Sequence, residues 1–272
     1  MKIDFMKIHG IGNDFIITKD PLDKKDHSYI AEKICNRHFG VGADGFMAVE
    51  KSKKADIKMV YYNSDGSLAN MCGNGLRAFS KYVFDKELVV GHSFTVETLD
   101  GIKGIEIVSM DDGGFAKMIK ADMGWYQLDF LRKPFQVHGE SLTLGSLNLG
   151  VPHVVMFEEY FSQERLRILG PLLEKHQNFT KGTNVNFAKI LNNENVEINT
   201  WERGCGYTLA CGTGMTATVV LGNLLGKLST RVHAHSPGGS LTIEINNRAK
   251  TIVMTGPAET VCEGIYDLKT RN

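Results

Sequence analysis

Two stretches of the chain alternate apolar and polar residues around a glycine turn: "FTVETLDGIKGIEI" (94–107) and "VHAHSPGGSLTIEI" (232–245). Alternation with period two on both sides of D-G or G-G predicts strand, tight turn, strand. Two other stretches, "HSYIAEKICNRHF" (27–39) and "FSQERLRILGPLLEKH" (161–176), predict helices lying on a surface. Two further helices are predicted behind the pattern C-G-x-G. After Cys211 the run is apolar almost all round, with Met215, Ala217, Val219, Val220, Leu221, Leu224 and Leu225. Such a helix is enclosed by protein, as inside a strongly curved sheet. After Cys72 the pattern is more amphipathic, mixing Arg77, Ser80 and Lys81 with Leu76, Phe79, Tyr82 and Val83.

These elements recur in the same order. The cysteines of "MCGNG" and "ACGTG" lie 139 residues apart, and the two alternating stretches lie 138 apart. "HGIGNDFII" (9–17) matches "LGVPHVVMF" (149–157), and "VGADGFMAV" (41–49) matches "KGTNVNFAK" (181–189), each at a spacing of 140. Four matches in one order with nearly constant spacing indicate a duplicated chain. The expected halves are 1–116 and 117–257, with the closing strand at about 258–272, "TVCEGIYDL" within it, returning to the first half.

Composition narrows the function classes. The 272 residues are 42% hydrophobic, enough for two ordinary domains. Thirty-one basic and 31 acidic residues give a formal net charge of zero, which argues against a nucleic-acid or anionic-membrane surface. No apolar run has transmembrane length and "MKIDFMKIHG" lacks the apolar core of a signal peptide, so a cytoplasmic location is expected. Five cysteines in such a chain read as free thiols. Cys35 fits an apolar helical face with Ile30 and Ile34, Cys262 reads as structural within a short strand, and Cys205 neighbours the second C-G-x-G. Cys205 and Cys211 have a six-residue offset rather than zinc-knuckle spacing, so no metal is expected even with His233 and His235 in view. The dinucleotide pattern G-x-G-x-x-G is absent.

A cysteine that opens a helix is chemically distinct from a buried one. Backbone N–H groups and the positive end of the helix dipole favour its thiolate, and the following glycines leave amides uncovered for an anion. Two such elements related by a two-fold repeat suit one reaction in particular, inversion at a carbon bearing an acidic proton. One thiolate removes the proton from one face while the opposing thiol supplies a proton to the other. A substrate carboxylate held by the amides would sit where negative charge grows, so neither metal nor pyridoxal phosphate is needed.

The motifs "HGIGNDF" (9–15), "NSDGSLANMCGNGLRAFSKY" (63–82), "GTNVNF" (182–187), "ERGCGYTLACGTG" (202–214) and "SPGG" (236–239) span the whole chain. On them the chain resembles the diaminopimelate epimerases, pyridoxal-phosphate-independent enzymes that interconvert LL- and meso-diaminopimelate. The resemblance implies an α/β fold of two pseudo-symmetric domains, each a barrel-like mixed sheet around a central helix, with the active site between them. It implies a small amino-acid substrate, no cofactor, and a homodimer as one admissible assembly. Cys72 and Cys211 would be the acid/base thiols. Asn13, Gly73, Asn74, Gly212 and Thr213 would bind the reacting centre. His153 and Glu202 would position the ammonium group or support proton transfer. Asn63, Asn184 and Arg203 would read the distant end, where a guanidinium suits a carboxylate. Asn63 fits equally well as a turn residue within "NSDG".

The departures concern the distant end. "GVPH" places Val151 where the family has asparagine, and "RGCGYT" places Cys205 and Tyr207 where it has a small residue and an acid. Losing one hydrogen bond to a charged group weakens recognition by about 1.5–3 kcal/mol. Valine and tyrosine also suit a less polar or ring-bearing side chain. A racemase of another amino acid, such as histidine, is therefore the alternative within the class, and a non-catalytic amino-acid-binding protein the alternative outside it.

Overall fold

The computed structural model of the chain describes residues 1–269. Contacts divide the chain into Met1–Asp122 with Gly256–Asn272, and Met123–Thr255; residues 270–272 of the closing segment lie outside the described residues. In the first unit the order is β1 (Lys2–Gly10), β2 (Asn13–Thr18), α1 (His27–Ile34), β3 (Gly45–Glu50), β4 (Ile57–Asn63), β5 (Leu68–Ala69), α2 (Gly73–Asp85), β6 (Ser93–Thr98), β7 (Gly101–Met110) and β8 (Ala116–Gly124). The second runs β9 (Gln127–Val137), β10 (Glu140–Asn148), β11 (Pro152–Phe157), α3 (Gln163–Glu174), β12 (Asn184–Asn192), β13 (Asn195–Glu202), β14 (Gly206–Thr208), α4 (Gly212–Leu224), β15 (Arg231–Ser236), β16 (Gly239–Asn246) and β17 (Thr251–Pro257). The last strand, β18 (Glu259–Asp267), pairs antiparallel with β1 from Lys2 opposite Asp267 to His9 opposite Glu259.

Strand pairing repeats between the units. β2 and β3 are parallel, as are β11 and β12; β4 and β6 are parallel, as are β13 and β15. The other ladders within each unit are antiparallel, and β18 stands against β1 as β9 stands against β10. The boundary expected at residue 117 falls later, after Asp122, because β8 pairs with β7 as far as Ala121 and so belongs to the first sheet.

A mixed sheet wraps a helix in each unit. α4 packs against β10, β11, β12, β13, β15 and β16. Around α2, Leu76, Phe79, Tyr82 and Val83 share one apolar cluster with Phe15, Ile17, Met59, Val96, Ile105 and Ile119, drawn from five strands. In β2, Phe15 and Ile17 join this cluster while Ile16 joins the one under α1, so the strand is apolar on both faces and shows no alternation. β6, covered on one face, keeps the alternation that its sequence shows.

Three expectations need correction. The helix drawn over 27–39 ends at Ile34, with Cys35 as its cap. Asn36 turns the chain there, its side-chain oxygen accepting from the amides of His38 and Phe39. α2 is not amphipathic in its setting, since Arg77, Ser80 and Lys81 are all buried. Each has a partner: Arg77 donates to Asn74 Oδ1, Ser80 to Leu76 O, and Lys81 to Ala116 O and Asp85. Cys262 is exposed rather than packed, because most of β18 is solvent-facing. Cys35 does pack with Ile30 and Ile34, and burial pushes its thiol up to about 12.

Candidate active site

Cys72 and Cys211 occupy equivalent places. Each is the N-cap residue of its unit's central helix, in extended backbone with φ of −138° and −122°, and neither caps the helix with its sulfur. Gly73 and Gly212 begin the two helices. Cys211 is buried and Cys72 half-buried.

Around Cys72 the side chains form an ordered chain. Cys72 Sγ lies 3.4 Å from Asn13 Oδ1, and Asn74 Nδ2 lies 3.5 Å from the same oxygen. Asn13 presents that oxygen because its Nδ2 donates to Asp44 Oδ2 at 2.7 Å. Asn74 is set by Arg77, whose Nη2 donates to Asn74 Oδ1 at 2.9 Å and whose Nη1 donates to Gly73 O. Burial pulls the fully enclosed Arg77 guanidinium down to about 10, still charged at neutral pH. Asp44 is paired through Arg37 to Asp14, which also meets Lys7 at 2.9 Å. Burial opposes ionisation of Asp14, but hydrogen bonds and charge from Arg37 and Lys7 outweigh it and hold its carboxyl at about 2.

Around Cys211, Thr213 Oγ1 lies 3.5 Å from the sulfur. His153 on β11 is fully buried, with Asn186 Nδ2 3.3 Å from its Nδ1. Burial, then the charge of Arg203, pulls this imidazole down to about 3, so it is neutral across the physiological range. Glu202 accepts from Thr208 Oγ1 at 2.7 Å.

Asn184 and Arg203, expected at the distant end of the substrate, are brought together. Asn184 Oδ1 accepts from the backbone amide of Arg203 at 2.9 Å, and Arg203 Nη1 donates to Lys181 O. Gly182, at φ of +71°, lies under the Arg203 stem, where a Cβ would come within 2.9 Å of Cδ. Asn63 is engaged in its own hairpin, accepting from Tyr61 Oη and donating to Ser67 Oγ. Val151 lies half-buried in the turn before β11, its carbonyl accepting from Leu149.

Tyr207, expected as a possible specificity determinant, is half-buried. Its hydroxyl donates to Asn199 Oδ1 and its ring packs on the apolar cluster that includes Leu166, Leu169 and Phe187. The next residue, Thr208, instead reaches Glu202, as neighbouring residues of a strand must point to opposite faces. Cys205 is exposed in the tight turn between β13 and β14.

Sequence reasoning passed over Asn186, Asp44, Arg37 and Arg77. Asn186 lies within the quoted motif "GTNVNF", and its signal would have been a polar residue at an inward strand position. Arg77 is visible in the amphipathic pattern of α2, but nothing in that pattern marks it as buried against Asn74.

At the level of architecture, the chain is similar to a probable proline racemase from Agrobacterium radiobacter, with a TM-score of 0.77 over 99% of this chain and 93% of that one at 14% identity. It is similar also to a phenazine biosynthesis protein of the PhzF family from Bacillus anthracis, with a TM-score of 0.76, 16% identity, and 98% and 100% of the two chains covered. These likenesses define the fold class, the two-unit α/β fold of helix-centred mixed sheets. Sequence goes further. The profile of diaminopimelate epimerase matches residues 5–128 and 145–261. A diaminopimelate epimerase from Alkaliphilus metalliredigens is 41% identical over 280 residues, covering 98% of both chains. The chain belongs to the diaminopimelate epimerase family.

Proposed function

We propose that the protein is an isomerase that inverts an α-carbon of diaminopimelate, using Cys72 and Cys211 as its two acid/base groups. The carrying observation is that each unit sets one cysteine at the head of its central helix, followed by glycines that leave backbone amides open. Inversion requires one sulfur on each face of the carbon. The thiolate on one face takes the α-proton, the thiol on the other gives one, and the reverse reaction exchanges the roles. In the first unit, Asn13 Oδ1 faces Cys72 Sγ as an acceptor, an arrangement that suits a protonated Cys72 before substrate arrives. First-turn amides of both helices favour carboxylate charge and the charge that grows as the proton leaves.

Arg203 supports diaminopimelate over a smaller amino acid, because it offers a guanidinium to a second amino-acid end, while Asn184, bonded to the Arg203 amide and to Pro152 O, holds its backbone. The reaction belongs to the cytoplasm in this reading, in keeping with five free cysteines. Among the described residues no helix is long and apolar enough to cross a membrane. A homodimer is part of the same reading, with sedimentation velocity as its check.

The test is isotope exchange under reducing conditions in deuterated water. LL-diaminopimelate should take up deuterium only at the inverted α-carbon and yield the meso isomer. Cys72→Ala and Cys211→Ala should each lose inversion by about 10²-fold or more. Exchange into histidine but not diaminopimelate would move the assignment to a histidine racemase, and tight binding without exchange would end the enzymatic reading.

A further inference from the structure

The family resemblance implies that His153 and Glu202 position the substrate ammonium group or support proton transfer, yet the hydrogen bonds around His153 describe a different function. Asn186 has an amide whose orientation is fixed from three sides. Its Nδ2 donates to Val154 O at 2.9 Å, and a carbonyl can only accept. Its Oδ1 accepts from Thr200 Oγ1 at 3.0 Å. The same oxygen lies against α4, where a Cβ on Gly214 would come within 2.2 Å of it. Turning the amide over would set its oxygen against the Val154 carbonyl, which can only accept, and lose that buried hydrogen bond.

With the amide so held, the second N–H of Asn186 points at His153 Nδ1. That ring nitrogen must accept, so the imidazole proton resides on Nε2. Nε2 is itself buried and has no hydrogen-bond partner among the described residues. A buried N–H without an acceptor is costly, which points to a ligand atom as its acceptor.

We propose that Asn186 is a positioning residue that locks His153 in its Nε2–H form, making His153 a neutral hydrogen-bond donor to an anionic group of the reaction. An N–H donor cannot accept from an ammonium, so this replaces the ammonium-binding role. A neutral imidazole with its proton on Nε2 also has no lone pair there with which to abstract a proton. The nature of the acceptor rests on the proposed epimerase reaction; the tautomer does not. The second glycine of C-G-T-G acquires a physical reason as well, since any side chain there would displace the amide that sets the tautomer.

The experiment is nitrogen NMR of histidine-labelled full-length protein, with the His153 signals assigned by their loss in His153→Gln. Nδ1 should resonate as an unprotonated nitrogen and Nε2 as a protonated one, unchanged from pH 6 to 9. A proton on Nδ1, or an imidazolium in that range, overturns the proposal. Asn186→Asp should move the proton toward Nδ1, because a carboxylate accepts where the amide donated. Its turnover should fall about 10²-fold, the scale for losing one donor to developing charge. Should that variant not fold, the His153 series decides: Gln, whose amide N–H stands near the position of Nε2–H, should keep clearly more activity than Ala. Equal losses in Gln and Ala would overturn the donor role. If the wild type inverts no amino acid, the epimerase reading fails while the NMR result stands by itself.

Discussion

A histidine that stays neutral when buried makes the folded state sensitive to mild acid. Unfolded, His153 takes a proton as pH falls below about 6.5; folded, it does so only near pH 3. Between those values the unfolded state binds more protons, so stability drops as pH falls, at up to about 1.4 kcal/mol per pH unit from this group. His153→Gln should flatten that slope between pH 6 and 4 in denaturant titrations. At the distant end, Arg203→Gln should raise KM for diaminopimelate by about 10–100-fold, the value of a charged hydrogen bond, with a smaller change in kcat. Steady-state kinetics would show the split. Individual residues were unevenly legible. Cys72 and Cys211 stood out because the chain repeats their setting, whereas Asn186 acts on His153 from 33 residues away and on Gly214 from 28, contacts that no local pattern encodes.

The two central helices open with the same motif but sit against different neighbours. A Cβ on Gly75 of α2 would meet the end of the Met47 side chain at 2.4 Å, whereas on Gly214 of α4 it meets the hydrogen-bonded Asn186 amide. Methionine can move and the locked amide cannot. Ala in place of Gly also improves helix propensity by about 1 kcal/mol. Gly75→Ala should therefore leave the urea midpoint nearly unchanged, while Gly214→Ala should cost about 1–3 kcal/mol by overpacking. α2 carries a second test. Lys81 and Asp85 pair at 2.8 Å with almost no exposure, and Asp85 also accepts from the Ala116 amide. Asp85→Ala leaves the lysine charge buried and should cost about 3–5 kcal/mol in equilibrium unfolding. α4 was legible as an enclosed helix because no charged residue interrupts its apolar run. α2 was not, since buried polar residues with partners look the same in sequence as solvated ones.

For the whole molecule, the repeat made the architecture readable before any strand was paired, because each half presents the same order of strands and helices. What spacing could not show is which strand completes which sheet. β18 pairs along nearly all of β1, so a chain ending at Thr255 lacks one edge of its first sheet. Such a truncation should lose the protection of β1 and β2 amides in hydrogen exchange while β11–β13 keep theirs.

The placement of β18 has a temporal consequence. On the ribosome, residues 123–255 have all their strands in hand before residue 259 is made, but residues 1–122 must wait for it. The usual order, in which the earlier-made part folds first, is thereby reversed. The N-terminal half stays an unfinished sheet throughout most of synthesis, the period in which chaperones have most reason to hold it.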